Sequence, residues 1–105
     1  MAETSRSVVH AVIVEDELRF TLEDLCRACR AEAAQVVALV EEGVLEPEGR
    51  TPEDWRFAGP SLARARAALR LARDLELGVA GTALVMDLLD EIEALRARLR
   101  RAGIR

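Results

Sequence analysis

Lysine is absent from the 105 residues, and all fifteen basic side chains are arginine. Aromatic residues are nearly as scarce, with one tryptophan, two phenylalanines and no tyrosine. The only histidine is His10, and the only cysteines are Cys26 and Cys29. A structural zinc site takes four ligands, and these three residues fall short of it. The Cys26–Cys29 spacing on a helix sets the Cβ atoms ~5–6 Å apart, beyond the ~3.5–4.5 Å of a disulfide. Both cysteines therefore read as small apolar residues on a helix, and His10 as an ordinary strand residue. There is no nucleophile beside a base and no glycine-rich phosphate loop. The expectation is a protein without catalysis, cofactor or metal. The longest uncharged runs, such as LGVAGTALVM, fall well short of the ~20 apolar residues that span a bilayer. The opening MAETSRSVVHAVIVEDE lacks a basic flank followed by an apolar run, so it does not resemble a signal peptide. A reduced, cytoplasmic chain without membrane contact is expected.

The charge that is present is unevenly placed. Residues 1–54 hold 13 Asp/Glu against 5 Arg, about −8. Residues 55–105 hold 6 Asp/Glu against 10 Arg, about +4. An acidic front half repels the phosphates whose attraction to basic side chains supplies most nucleic-acid affinity. It instead speeds encounter with a basic protein surface.

Elements follow from the spacing. Val8, Val9, Val12, Ile13 and Val14 form a β-branched run that favours a strand. Thr21 opens a first helix with a near capping box, Asp24 standing where Glu or Gln is usual. Leu22, Leu25, Cys26 and Cys29 carry it at helical spacing. A second helix covers about Glu32 to Glu42, with Ala33, Val36, Val37 and Val40 as its buried stripe and Gly43 as its stop. VLEPEGRTPEDWRF reads as a hairpin, with Val44 and Leu45 leading in and Trp55 and Phe57 returning. A third helix restarts after Gly59 with Pro60 in its first turn. Leu62, Ala65, Leu69, Ala72 and Leu75 line it, and Gly78 breaks it. The last helix runs from Val79 or Ala80 to about Ala102. Its Val85, Leu88, Ile92, Leu95 and Leu99 step by three and four, the seam of a coiled coil and an expected homodimer contact. Met86 and Leu89 widen its upper half, so that the upper part packs on its own domain.

The fold expected is mainly α in one domain. An N-terminal strand and lead-in occupy about 1–19. A winged helix-turn-helix with a short β-hairpin wing occupies 20–58, and two longer helices occupy 59–105. FTLEDLCRAC, VEEGVLEP, WRF and ALRLARDLELGVAGTALVMDLLDEIEALRARL together resemble the CbpM family of chaperone modulators, which are MerR-like. The resemblance covers most of Phe20 to Leu99. Laid on the MerR pattern, Arg30 falls where a turn glycine is usual. Ala34, Val37 and Glu41 fall on the customary basic positions, and Ala38 and Leu39 on a tyrosine pair. Every position that would meet phosphate or a base edge lacks the chemistry for it. Direct DNA binding is not expected from this helix.

The resemblance implies a partner: the J-domain of a CbpA-like co-chaperone, itself DnaJ-like and DNA-binding. It implies that this partner's stimulation of DnaK and its DNA binding are both inhibited. An acidic surface competing for the basic J-domain face is the expected means. Glu15, Asp16 and Glu17 form one candidate group of acids. Glu41, Glu42, Glu46 and Glu48 form a second, and Asp87, Asp90 and Glu91 a third. Asp87 and Asp90 alternatively pair with an arginine of the neighbouring helix, such as Arg66 or Arg73. Trp55 reads as core or as an interface anchor, with Arg56 facing the other way. The arginine-rich tail (Arg96, Arg98, Arg100, Arg101 and Arg105) suits a helix C-terminus. The alternative function is a MerR-type transcriptional regulator that uses Arg50, Arg56 and this tail on DNA.

Overall fold

The structure is a computed structural model, and it describes residues 18–104. The expected N-terminal strand, His10 and the acids Glu15 to Glu17 lie outside them.

Two short strands start the architecture. β1 (Arg19–Phe20) pairs antiparallel with β2 (Phe57–Ala58), Phe20 standing opposite Phe57. Each strand runs straight into a helix: β1 into α1 (Leu22–Cys29) and β2 into α3 (Gly59–Asp74). The pairing therefore sets the starts of α1 and α3 side by side. Thr21 caps α1 through both bonds of a capping box. Its hydroxyl accepts from the Asp24 amide at 3.1 Å, and the Asp24 carboxylate accepts from the Thr21 amide at 2.9 Å. Each such cap is worth about 1 kcal/mol. α2 (Ala33–Glu41) follows after a tight turn, and α4 (Val79–Arg101) closes the fold. At 23 residues α4 is about 34 Å long, and it stretches the molecule to 47 × 34 × 27 Å.

The core gathers Leu25, Val36, Leu39, Val44, Leu45, Trp55, Phe57, Ala65, Ala68, Ala83 and Met86. Trp55 and Phe57 meet edge to face, with ring centroids 6.0 Å apart. The core reading of Trp55 therefore holds, and Arg56 between them is exposed. Ala65 and Ala68 let α3 approach its neighbours closely. Cys26 and Cys29 are free thiols packed half-buried against this core. Burial raises both thiol pKa values, helped at Cys26 by the Glu23 charge, and both are un-ionised at neutral pH.

Several sequence expectations need correction. Ala33 is exposed, whereas Leu39, set on a tyrosine position, is buried. Tilting the stripe by one residue puts Val36 and Leu39 inward. The return segment does not ladder with Val44 and Leu45. Those two side chains are pulled into the core, and the wing closes by one bridge, Glu48 to Arg56, with amide-to-carbonyl distances of 3.0 and 2.9 Å. Leu75 is exposed because α3 stops before it, and Gly78 is not the break. The helix ends in a Schellman turn with Glu76 left-handed at φ 55°, the Leu77 amide donating to the Ala72 carbonyl at 2.9 Å. Gly78 instead stands ahead of α4 as its N-cap. Met86 is buried in the domain while Leu89 is exposed.

Candidate partner-binding surface

α2 ends in a Schellman turn: Gly43 takes φ 82° and the Val44 amide donates to the Leu39 carbonyl at 2.9 Å. That reversal buries Val44 and Leu45 and leaves Glu41, Glu42 and Glu46 on the surface. Glu41 closes the last turn of α2 and Glu42 is its C-cap, with no basic residue in that turn. Carboxylates at the negative end of a helix dipole cost roughly 0.3–1 kcal/mol each. A fold that keeps two there carries a local cost with no local compensation.

Arg64, on α3, organises the adjoining cleft. Its Nε donates to the Val44 carbonyl at 2.6 Å. Its two terminal nitrogens donate to the Asp90 carboxylate at 3.0 and 2.8 Å. One planar side chain thus ties the end of α2, the body of α3 and the middle of α4. The hydrogen bonds from Arg64 hold the Asp90 carboxyl below its usual range, and Asp90 in turn raises the Arg64 pKa. An arginine of the neighbouring helix was expected to pair here. The partner is Arg64, not Arg66 or Arg73, because Arg64 lies on the side of α3 that faces α4 across Val44.

Around Arg64 opens a cleft of about 470 Å³, lined by Glu46, Ser61, Asp87 and Asp90 among others. Glu46 enters from the wing and Asp87 from α4, so two of the three candidate acid groups meet here. Glu41 and Glu42 stand just before the Gly43 that lines the cleft. Among the described residues, none of Glu41, Glu42, Glu46, Asp87 and Glu91 has an ion-pair partner. Glu48 lies apart, 3.7 Å from Arg19. Arg64 escaped sequence reasoning; its one signal was a charge placed four residues before the buried Ala68.

The outer face of α2 offers little to nucleic acid. Ala33, Ala34 and Gln35 are exposed there, with Glu41 beyond them. Arg30 takes the left-handed conformation, φ 55° and ψ 48°, at the position where the MerR pattern has its turn glycine. The backbone of the motif is kept although the residue is changed.

An apolar surface runs along α4. Val79, Thr82, Ala83 and Met86 turn toward the domain. Leu88, Ile92, Leu95 and Leu99 are each 45–53% exposed, and Val85 is half-buried. At 100° per residue this seam lies about 150° around the helix from the domain-facing side. No helix among the described residues is long and apolar enough to cross a membrane.

Comparison with known proteins agrees with this architecture. The model of the MerR helix-turn-helix family of regulatory proteins matches residues 20–102. The chaperone modulatory protein CbpM of Coxiella burnetii (strain Dugway 5J108-111) is 34% identical over 96 residues, covering 91% of each chain. That of Pseudomonas putida (strain W619) is 40% identical over 80 residues, 76% of this chain and 79% of its own. With helix-turn-helix, wing and long final helix all inside the matched span, the chain belongs to the CbpM family of chaperone modulatory proteins, built on a MerR-type fold.

Proposed function

We propose that this protein modulates a chaperone system by binding the J-domain of a CbpA-type co-chaperone. Its acidic surface covers the basic J-domain face, so that the co-chaperone neither stimulates DnaK nor holds DNA. The observation that carries the reading is the convergence of Glu46 and Asp87 on one cleft around Arg64, beside Glu41 and Glu42. A basic helix laid across that cleft finds carboxylates from two directions, Glu46 on one side and Asp87 on the other. Charge complementarity supplies speed and specificity, and the apolar contacts supply most of the affinity. The protein acts as a homodimer through the exposed seam of α4. The MerR-type regulator is the weaker reading, because α2 presents alanines and a glutamate where a DNA reader needs basic side chains.

Calorimetric titration against a purified CbpA-type J-domain at low and moderate salt tests this directly. Binding that weakens with salt is expected. Glu41→Gln, Glu42→Gln and Glu46→Gln together should weaken it at least tenfold. The same triple variant should be slightly more stable to urea, since two helix-end charges are removed. Unchanged affinity moves the site elsewhere. No binding by the wild type at either salt removes the function and makes duplex DNA the next ligand.

A further inference from the structure

We infer that a notch between α2 and the turn joining α3 to α4 seats one large apolar side chain, carried by the same basic helix whose charges meet Glu42 and Glu46. The inference rests on the proposed J-domain reading and adds an apolar anchor to its charged contacts.

The notch holds about 310 Å³, with Leu39, Leu69, Leu77 and Val79 as its larger walls. That is the lower end of the ~300–1,000 Å³ of ligand pockets, room for a side chain rather than a cofactor. It exists because Ala34, Ala38 and Ala72 leave the space between those walls unfilled. Both polar side chains on its lining are already engaged locally. The Thr82 hydroxyl donates to the Gly78 carbonyl at 2.9 Å, and the Gln35 side-chain oxygen accepts from the Glu32 amide at 2.9 Å. An apolar group therefore gains by entering, whereas a polar one gives up its bonds to water.

Position identifies what carries that group. At 100° per residue, Ala34, Ala38, Glu41 and Glu42 fall within about 100° of one another on the exposed side of α2. Ala38 stands one turn after Ala34, and Glu42 one turn after Ala38. The rise from Ala34 to Glu42 is about 12 Å. Gly43, the next residue, lines the acidic cleft. Apolar notch, helix-end carboxylates and acidic cleft thus succeed one another along α2 and past its end. The occupant that fits is an amphipathic helix with a leucine- or phenylalanine-sized side chain about two turns from its basic residues, lying in this tract as helices lie in grooves. An acidic helix would be repelled by the carboxylates beside the notch. The exposed seam of α4 does not line the notch, so the two surfaces can be tested apart.

Calorimetry of the full chain with the purified J-domain tests the notch through Ala34, with circular dichroism to verify the fold of each variant. Ala34→Phe fills the notch from its exposed edge and should weaken binding tenfold or more. Its salt dependence should stay that of the wild type, since no charge changes. The heat-capacity change on binding should become less negative. Ala34→Glu separates apolar from charged contributions by sign. It places a carboxylate in the first turn of α2, where a helix accepts one, and should weaken binding at least threefold. A surface acting by charge alone would bind the basic partner more tightly. Ala33→Phe, exposed on α2 but outside the notch, should stay within about twofold of wild type. Ala34→Phe at wild-type affinity, Ala34→Glu at or above it, or an equal loss from Ala33→Phe each overturns the inference while leaving the J-domain reading. A wild type that does not bind the J-domain overturns both.

Discussion

Val79, Thr82, Ala83 and Met86 in the first half of α4 pack into the domain, whereas Leu88, Ile92, Leu95 and Leu99 in the second half stay about half exposed. Both sets repeat at three and four residues along one unbroken helix. The first set is covered because α3 and α2 pass beside it. The second projects past them on the opposite side of the helix. Spacing thus reveals that a helix face is apolar, and the path of the remaining chain decides whether that face becomes core or contact surface. Thermodynamically the two halves should answer to different experiments: the first to unfolding, the second to concentration.

Substitution by alanine in each half gives the sharpest contrast. Met86→Ala leaves a cavity in a closed core and should cost about 2–5 kcal/mol in urea unfolding. Ile92→Ala, measured where the chain is dilute enough to be monomeric, should change stability by no more than ~0.5 kcal/mol. Its effect should instead be a weaker self-association. Equal losses from both at low concentration would mean that the second half is also covered within one chain.

Asp90 marks the boundary between these halves, since it is the last residue of α4 that the domain grips. Arg64→Met removes two charge-assisted bonds to Asp90 and leaves the Val44 carbonyl without its donor. A loss of about 1–2 kcal/mol is expected at neutral pH. The sign of its pH dependence is fixed. The Asp90 carboxyl is depressed in the folded protein, so its contribution is present above the usual carboxylate range and fades as pH falls through the folded value. Urea midpoints of wild type and variant should therefore draw together below about pH 4. A gap that stays constant to pH 2 would assign the loss to the Val44 carbonyl alone.

What was legible in the sequence follows the range of the interactions. The α1 cap could be read because Thr21 and Asp24 satisfy each other within one turn. The α2 stop could be read because glycine is the residue at ease with the left-handed turn that Gly43 makes. The register of β2 could not, since Phe57 finds its partner in Phe20, far away in the chain. Nor could the choice of Arg64 over Arg66, which depends on how α3 and α4 cross. For the candidate site, the acids were visible as a group. Their meeting around one arginine was not, because Glu46 and Asp87 are brought together only by the return of α4 past the wing.

The helix ends show how far local residues decide the fold, and they supply the smallest expected effect. All four helices finish in the same left-handed turn, made at Arg30, Gly43, Glu76 and Gly103. Two of these positions hold glycine, which adopts φ near +60° at no steric cost, and two hold charged residues that carry it at about 1 kcal/mol or more. Arg30→Gly and Glu76→Gly keep every backbone bond of the turn while relieving the strain, offset in part by the greater freedom of glycine in the unfolded chain. Each should stabilise the domain by a few tenths to about 1 kcal/mol, a rise of a few degrees in thermal midpoint. Self-association through the outer face of α4 should not change, since neither turn touches it. A fall in midpoint for Arg30→Gly would mean that the arginine side chain contributes more than its backbone strain costs, and would give that residue a role of its own at the turn before α2.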